Sequence, residues 1–264
     1  MTENPAPEKW LVAQYAPVSI FSLRSTYATS KGGKTLLIPT PYAVKLALVD
    51  ACFRLYPRFD AEISARQVFD RIKAQPIRIQ PPKDCIVQNT FLRVLQPARD
   101  SDAGNDSSGP FARTIAYREF VFCSGEMEIA LGLSEQSNSE LSELAKLFAH
   151  INYFGKRGSF WQFLGTRKHS DSLPSGFSLV MGDIGQHALD IVGQYQVTEY
   201  LDDFGPKLCK VKDGFERIST YHDGTITLGE HRVLQHTLLP YLRIGGSRHF
   251  THYRRTIPEA SSGH

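Results

Sequence analysis

The alternation of apolar and polar positions divides the chain into short elements. "WLVAQYAPVSIFSL", residues 10–23, carries the apolar and β-branched content of an opening strand. A polar stretch, "TYATSKGGKT", leads to Thr40 and Pro41, a cap residue and a first-turn proline that together open a helix. Val44, Ala47, Leu48, Ala51, Cys52 and Leu55 then recur at helical spacing and give that helix one core-facing stripe as far as Pro57. A shorter helix is predicted over "AEISARQVFDRIKA", residues 61–74. "RTIAYREFVFC" and "EMEIALGL" read as two strands joined by Ser124 and Gly125, a hairpin signal. "SNSELSELAKLFAHINYFG" is amphipathic, with Leu141, Leu144, Ala145, Phe148 and Ile151 as its stripe and Gly155 where a helix would stop. "SFWQFLG" returns as a strand.

Taken in order, these elements give the β-α-β-β-α-β succession of a ferredoxin-like, RNA-recognition-type α+β domain over residues 1–170. An insertion is expected from about residue 75 to 111, where short strands flank a polar Gly/Ser/Asp-rich end, "DSDAGNDSSGP". From Asp171 to His264 no long helical pattern stands out. "FSLVMGD", "YQVTEYL" and "CKVKDGF" predict a smaller, mostly β region packed on the first.

The letters GGKT at residues 32–35 match the tail of a phosphate-binding loop, but the rest of that motif is missing. The loop needs G-x-x-x-x-G-K-[ST] with a helix opening at its lysine. The first glycine would fall at position 28, which is Ala28, and Pro39 and Pro41 would break a helix running on from Lys34. Nucleotide triphosphate binding is therefore excluded, and the stretch is read as a loop feeding a proline-started helix.

With 41% hydrophobic and 22% charged residues, the 264-residue composition is that of an ordinary globular protein. The start, "MTENPAPEKW", has no signal-peptide pattern, and no apolar run reaches membrane-spanning length, so a cytoplasmic protein without membrane contact is expected. The four cysteines, Cys52, Cys85, Cys123 and Cys209, are widely spaced with no C-x-x-C, which predicts buried free thiols and no structural metal. Net charge is only +3, yet its distribution is uneven. No acid occurs between Trp10 and Val49, where Arg24, Lys31, Lys34 and Lys45 lie. None occurs between His150 and Lys168, with Lys156, Arg157, Arg167 and Lys168, and "RIGGSRHFTHYRR", residues 243–255, is a third such stretch. Gathered on one face they would form a polyanion footprint; scattered, they are solvated surface.

At "YREFVF", "EMEIALGL" and "ELSELAKLFAHINYFGKRGSFWQFLG" the sequence resembles CRISPR-associated protein family five, a subunit of Cascade-type RNA-guided surveillance complexes in the RAMP superfamily. The matching elements are the opening strand, the serine-containing loop, the proline-started helix "PTPYAVKLALVDA", Arg118-Glu119-Phe120, and Tyr153-Phe154-Gly155-Lys156-Arg157. The resemblance covers roughly residues 10–165 and implies several expectations. They are a ferredoxin-like fold, no cofactor, binding of the 5′ handle of CRISPR RNA, and a thumb from about Gln75 to Phe111 pressed on a neighbouring backbone subunit. The large subunit is the other expected neighbour.

Holding a single strand of RNA takes cations for phosphates, aromatic faces for splayed bases and polar groups for 2′-hydroxyls. Lys156 and Arg157, flanked by Phe154 and Phe160, supply the first two; serving a helix dipole is their structural alternative. Arg24, Ser25, Ser30, Lys31 and Lys34 lie on the first loop, where a polar linker is the alternative. Arg118 has an intramolecular ion pair as its alternative. A metal-independent endoribonuclease processing precursor RNA is a rival reading. It needs a base for the 2′-hydroxyl beside a donor for the leaving oxygen, for which Tyr42, His150 and Lys156 are the candidates. His249 and His252, three apart on a strand, would face opposite ways and share neither catalysis nor a metal. The chain is expected to be no enzyme. A third reading is a ferredoxin-like protein-interaction module without RNA.

Overall fold

The structure, a computed structural model, describes residues 9–28, 32–97, 111–133, 137–169, 173–183, 193–210, 214–219 and 223–256. The strands are β1 (Lys9–Pro17), β2 (Leu23–Arg24), β3 (Gly32–Gly33), β4 (Thr35–Leu36), β5 (Ile77–Gln80), β6 (Asp84–Pro97), β7 (Phe111–Ser124), β8 (Met127–Leu133), β9 (Trp161–His169), β10 (Leu179–Val180), β11 (Val197–Phe204), β12 (Arg232–Leu239), β13 (Tyr241–Gly246) and β14 (Phe250–Arg255). The helices are α1 (Pro41–Leu55), α2 (Arg58–Ile72), α3 (Asn138–Ala149) and two short ones, α4 (Pro206–Cys209) and α5 (Gly214–Ile218). The protein is mixed α+β, and its sheet pairings are antiparallel except for the short β3–β7 contact.

Both long predicted helices begin where their caps demand. Thr40 accepts the Ala43 N–H at the start of α1, with Pro41 behind it. Ser137 and Glu140 form a reciprocal capping box on α3. α3 ends earlier than Gly155 suggested. The His150 N–H reaches the Leu147 and Phe148 carbonyls and its ring nitrogen Nδ1 lies 2.8 Å from the Lys146 carbonyl, closing the last turn. Gly155 instead takes φ +68° in a separate turn, a conformation that favours glycine.

A four-stranded sheet runs in the order β5-β8-β1-β9. Leu11, Ala13 and Tyr15 of β1 face the helices and join the main core with Leu48, Phe69, Leu144 and Phe148. Trp10, Val12 and Ala130 lie on the opposite face under Phe177. Cover on both faces explains why every residue of β8 is buried.

The predicted hairpin across Ser124 and Gly125 is not formed. Gly125 does turn tightly, at φ +87° beside Lys83, but β7 pairs with β6 from Asp84↔Ser124 to Pro97↔Phe111, while β8 pairs with β1 and β5. The turn therefore passes the chain between two sheets. The strand that neighbours β8 by edge is Ile77–Gln80. The long β6–β7 ribbon lies between the second and third strands of the four-stranded sheet in chain order. "CKVKDGF" is also different from expectation: Cys209 closes α4, Gly214 opens α5, and residues 211–213 lie outside the described set. Pro206 favours a helical start there, following Gly205, whose close approach to the Glu230 carbonyl leaves no room for a Cβ.

The remaining strands form a three-stranded sheet, β10-β12-β11, and a five-stranded one, β13-β14-β6-β7-β3. "RIGGSRHFTHYRR" is thus the β13–β14 hairpin, bonded edge-on to β6 from Phe250↔Gln88 to Arg254↔Asp84. The acidic loop at residues 100–106 and Asp171 lie outside the described residues.

Candidate nucleic-acid interface

The first loop is anchored at its base. β2 pairs with β4, the Leu23 N–H donates to Thr35 Oγ1, and the Thr35 N–H donates to Glu119 Oε2. Gly32 and Gly33 pair with Tyr117 and Arg118 of β7. A Cβ on Gly33 would sit 2.6 Å from Arg118 Cδ and 3.2 Å from the Tyr117 carbonyl. The second glycine of GGKT is therefore explained by close approach to β7, where a Cβ would press on the Arg118 side chain and the Tyr117 carbonyl. Arg24 is exposed, with Nη2 donating to the Ala28 carbonyl at 2.9 Å, and Lys34 is exposed. Ser25 is half-buried. Ser30 and Lys31 lie outside the described residues.

The second basic turn docks beside the first. Val18 N–H donates to the Phe160 carbonyl, and Ser19 Oγ donates to the Gly158 carbonyl at 3.1 Å. A Cβ on Gly155 would lie 3.4 Å from Leu23 Cδ2 and 3.7 Å from Ala43 Cβ. The turn holding Lys156 and Arg157 is thus packed against the strand that carries Arg24 and against the opening of α1. Ser159 Oγ stiffens it by donating to the Phe154 carbonyl at 2.6 Å. Lys156 and Arg157 are exposed and ion-pair with no described residue. α3 ends at Ala149, so neither residue lies in its last turn, where a helix dipole acts. Phe154 is buried and Phe160 is 46% exposed, so only Phe160 offers a ring to solvent.

Not every predicted cation reaches this surface. Lys45, counted in the first acid-free stretch, is buried and bonded to Asp203 Oδ1 at 2.7 Å and the Lys73 carbonyl at 3.1 Å. Arg167 pairs with Glu128. Arg118 makes no ion pair with a described carboxylate; its Nη1 donates to the Tyr117 carbonyl and its stem covers Gly33.

Aromatic residues that the sequence reading passed over border the first loop. Tyr27 is 63% exposed and meets Tyr200 edge-to-face at 5.5 Å, and Tyr200 stacks on His236 at 4.3 Å. A tyrosine inside an otherwise polar loop was the available signal for Tyr27; Tyr200 and His236 come from strands far away in sequence. Of the three candidate acid–base groups, Tyr42 and His150 are engaged elsewhere, while Lys156 stands exposed in its turn. The Tyr42 ring packs on Phe204 and under the Arg232 guanidinium, 4.7 Å from its centroid. Burial pushes the Tyr42 hydroxyl above its ordinary range, with Arg232 pulling it down and Asp202 pushing it up. His150 is held at the α3 end as described, and His252 lies 2.7 Å from Asp84 Oδ1. All four cysteines are free, three of them buried and Cys209 half-buried.

What the fold and these turns define is an α+β protein with two cationic turns side by side and aromatic rings at their margin. No family model matches the chain. A curated relative, CRISPR-associated protein Cas5 of Archaeoglobus fulgidus, is 23% identical over 141 residues. The match covers 53% of this chain and 57% of the relative, so the chain spans little more than half the length of the protein it matches. This relative bears out the sequence resemblance to CRISPR-associated protein family five. Among solved structures, a CRISPR protein from Archaeoglobus fulgidus aligns over 94% of this chain and 92% of its own, at 12% identity and a TM-score of 0.47. A chain of a CRISPR RNA-guided surveillance complex aligns over 88% and 89%, at 10% identity and a TM-score of 0.36. No helix among the described residues is long and apolar enough to cross a membrane.

Proposed function

We propose that this chain is a non-catalytic subunit of a type I CRISPR, Cascade-like RNA-guided complex. It binds and caps the 5′ handle of CRISPR RNA and contacts the backbone and large subunits. In this reading the four-stranded unit with α1 and α3 is a ferredoxin-like domain, which the β5-β8-β1-β9 order supports. The β6–β7 ribbon serves as the thumb, and its exposed Phe91, Leu95, Phe111 and Ile115 suit contact with a neighbouring subunit. The observation that carries the RNA reading is the docking of the Lys156–Arg157 turn on Leu23, next to Arg24. Two unpaired basic segments converge there, bordered by Tyr27 and Phe160, which is the chemistry a single strand needs.

The charge reversal Lys156→Glu with Arg157→Glu is expected to abolish co-purification of guide RNA with the full chain. Recovery of RNA equal to that of the native protein would remove these residues from the site. For the native chain, a grip on about five phosphates predicts a log–log salt slope near −3.5, at roughly −0.7 per phosphate neutralised. A flat salt response would favour the protein-interaction module instead. Cleavage of repeat RNA by the pure chain in EDTA would favour the endoribonuclease. The engagement of Tyr42 with Arg232 and of His150 with the Lys146 carbonyl supports the non-catalytic reading.

A further inference from the structure

The β6–β7 ribbon and the C-terminal hairpin create a surface that the two basic turns do not use. Side chains of paired residues in an antiparallel sheet point to one face, and the register sorts this sheet cleanly. Cys85, Val87, Val121, Cys123 and Tyr253 share the face that turns inward at the base of the ribbon, four of them buried. The alternate positions form the opposite face in three rows. Phe250, Gln88 and Phe120 make one row; His252, Ile86 and Phe122 make the next; Arg254, Asp84 and Ser124 make the third. Phe122 is 53% exposed and Phe250 40% exposed, and Phe120 is half-buried. The rings therefore stand on an open sheet face, about 7 Å apart along β7 and about 10 Å across two strands.

Cations frame these rings. Arg254, paired with Asp84, lies at one end, and the cation Arg118 continues the β7 face toward Gly33, where the first basic loop begins. The sole acid in the rows, Asp84, is ion-paired with Arg254 Nε at 2.8 Å and lies 2.7 Å from His252 Nε2. Arg248 extends the basic edge at the β13–β14 turn, which is tied to β6 through Asn89 bonds to the Arg248 and His249 carbonyls.

We propose that this sheet face, built on Phe120, Phe122 and Phe250, is a base-stacking platform for single-stranded RNA. It is continuous through Arg118 with the loop that holds Arg24 and Lys34. The occupant is set by the combination of features: rings at open positions with cations at the margin and no free acid match a polyanion with stackable bases. A protein partner would match an apolar patch, but it would not call for this cationic frame. The proposal rests on the RNA-binding reading above and assigns a second stretch of the strand to the C-terminal hairpin.

The test is fluorescence anisotropy of the full chain with a labelled single-stranded oligouridylate of about 16 nucleotides, together with 4-thiouridine cross-linking. The substitutions Phe122→Leu and Phe250→Leu keep apolar bulk at exposed sites and remove the rings. Together they are expected to weaken binding about tenfold or more while leaving the melting temperature unchanged. Cross-links are expected on peptides containing Phe122 or Phe250. Unchanged affinity in the double variant, with no such cross-link, overturns the platform. If Lys156→Glu with Arg157→Glu still lowers affinity in that case, the RNA-binding reading survives without it. Cross-links at Phe122 that persist unweakened in the charge-reversed protein would do the opposite. A native chain that binds no oligonucleotide overturns both, whereas a double variant that loses only association with partner proteins overturns the platform alone.

Discussion

Glu199 on β11 has its carboxyl buried beside the first loop. Oε1 accepts the Leu37 N–H at 2.9 Å, and Oε2 is buried with no described partner. Burial pushes its pKa up to about 8, against a pull downward from the Leu37 N–H. A carboxyl whose folded value lies above its unfolded value favours the protonated folded state. Its contribution is therefore complete below the unfolded value of about 4.5 and is lost as pH rises toward about 8. Glu199→Gln keeps the acceptor for Leu37 and removes the charge. The variant is expected to melt higher than the native chain near pH 9 and to match it near pH 5, as followed by thermal unfolding across that range. Equal melting curves at both values would show that the carboxyl is solvated. Nothing in "YQVTEYL" marks Glu199 as different from any surface acid, because its burial is a tertiary outcome and its one hydrogen-bond donor, the Leu37 N–H, lies 162 residues earlier in the chain.

At the level of elements, the loop between β2 and β4 is held by close packing and by carboxylates. Glu119 takes the Thr35 N–H and Glu199 takes the Leu37 N–H, so two acids from different sheets pin consecutive alternate amides of one short segment. Gly33 lets that segment lie against β7. Gly33→Ala would force Arg118 or the Tyr117 backbone to move, at a cost of about 1–3 kcal/mol. Denaturant unfolding should show that loss, and weaker RNA binding should accompany it if the loop is a contact. α1 and α3 were legible because caps and stripes are local signals. The partner of β7 was not. The Ser-Gly turn after it is equally consistent with a hairpin or with passage to another sheet, and only the long pairing of Asp84–Pro97 with Phe111–Ser124 decides between them.

For the molecule as a whole, Lys45 and Asp203 join α1 to β11 through an ion pair with side chains 2% and 10% exposed. The Phe204 ring lies 5.3 Å from the Lys45 ammonium and shields it further. Removing one partner strands the other charge, so Asp203→Ala is expected to cost about 3–5 kcal/mol in denaturant unfolding. The double change Lys45→Met with Asp203→Leu should recover most of that loss, since the desolvation penalty disappears with both charges. Failure of the double variant to recover would mean that Asp203 acts chiefly through its bonds to Gln235 and its own strand. The same pair qualifies the charge argument made from sequence. Acid-free stretches supplied the cations of both basic turns, but one of their lysines is spent on internal packing.

The sequence alone determined the three long helices, the opening strand as far as Pro17, the free thiols and the rejection of a phosphate loop. Each of these rests on spacing, caps or missing residues within a few turns of chain. It also carried the family resemblance on Arg118-Glu119-Phe120 and the Tyr153–Arg157 turn. The tertiary structure alone decided which strands share a sheet, that Lys45 is buried, and that the Lys156 turn docks beside Arg24. It also turned the unassigned tail into the edge of an aromatic sheet face. Those outcomes depend on register and on contacts between segments more than a hundred residues apart, for which a linear pattern has no local signal.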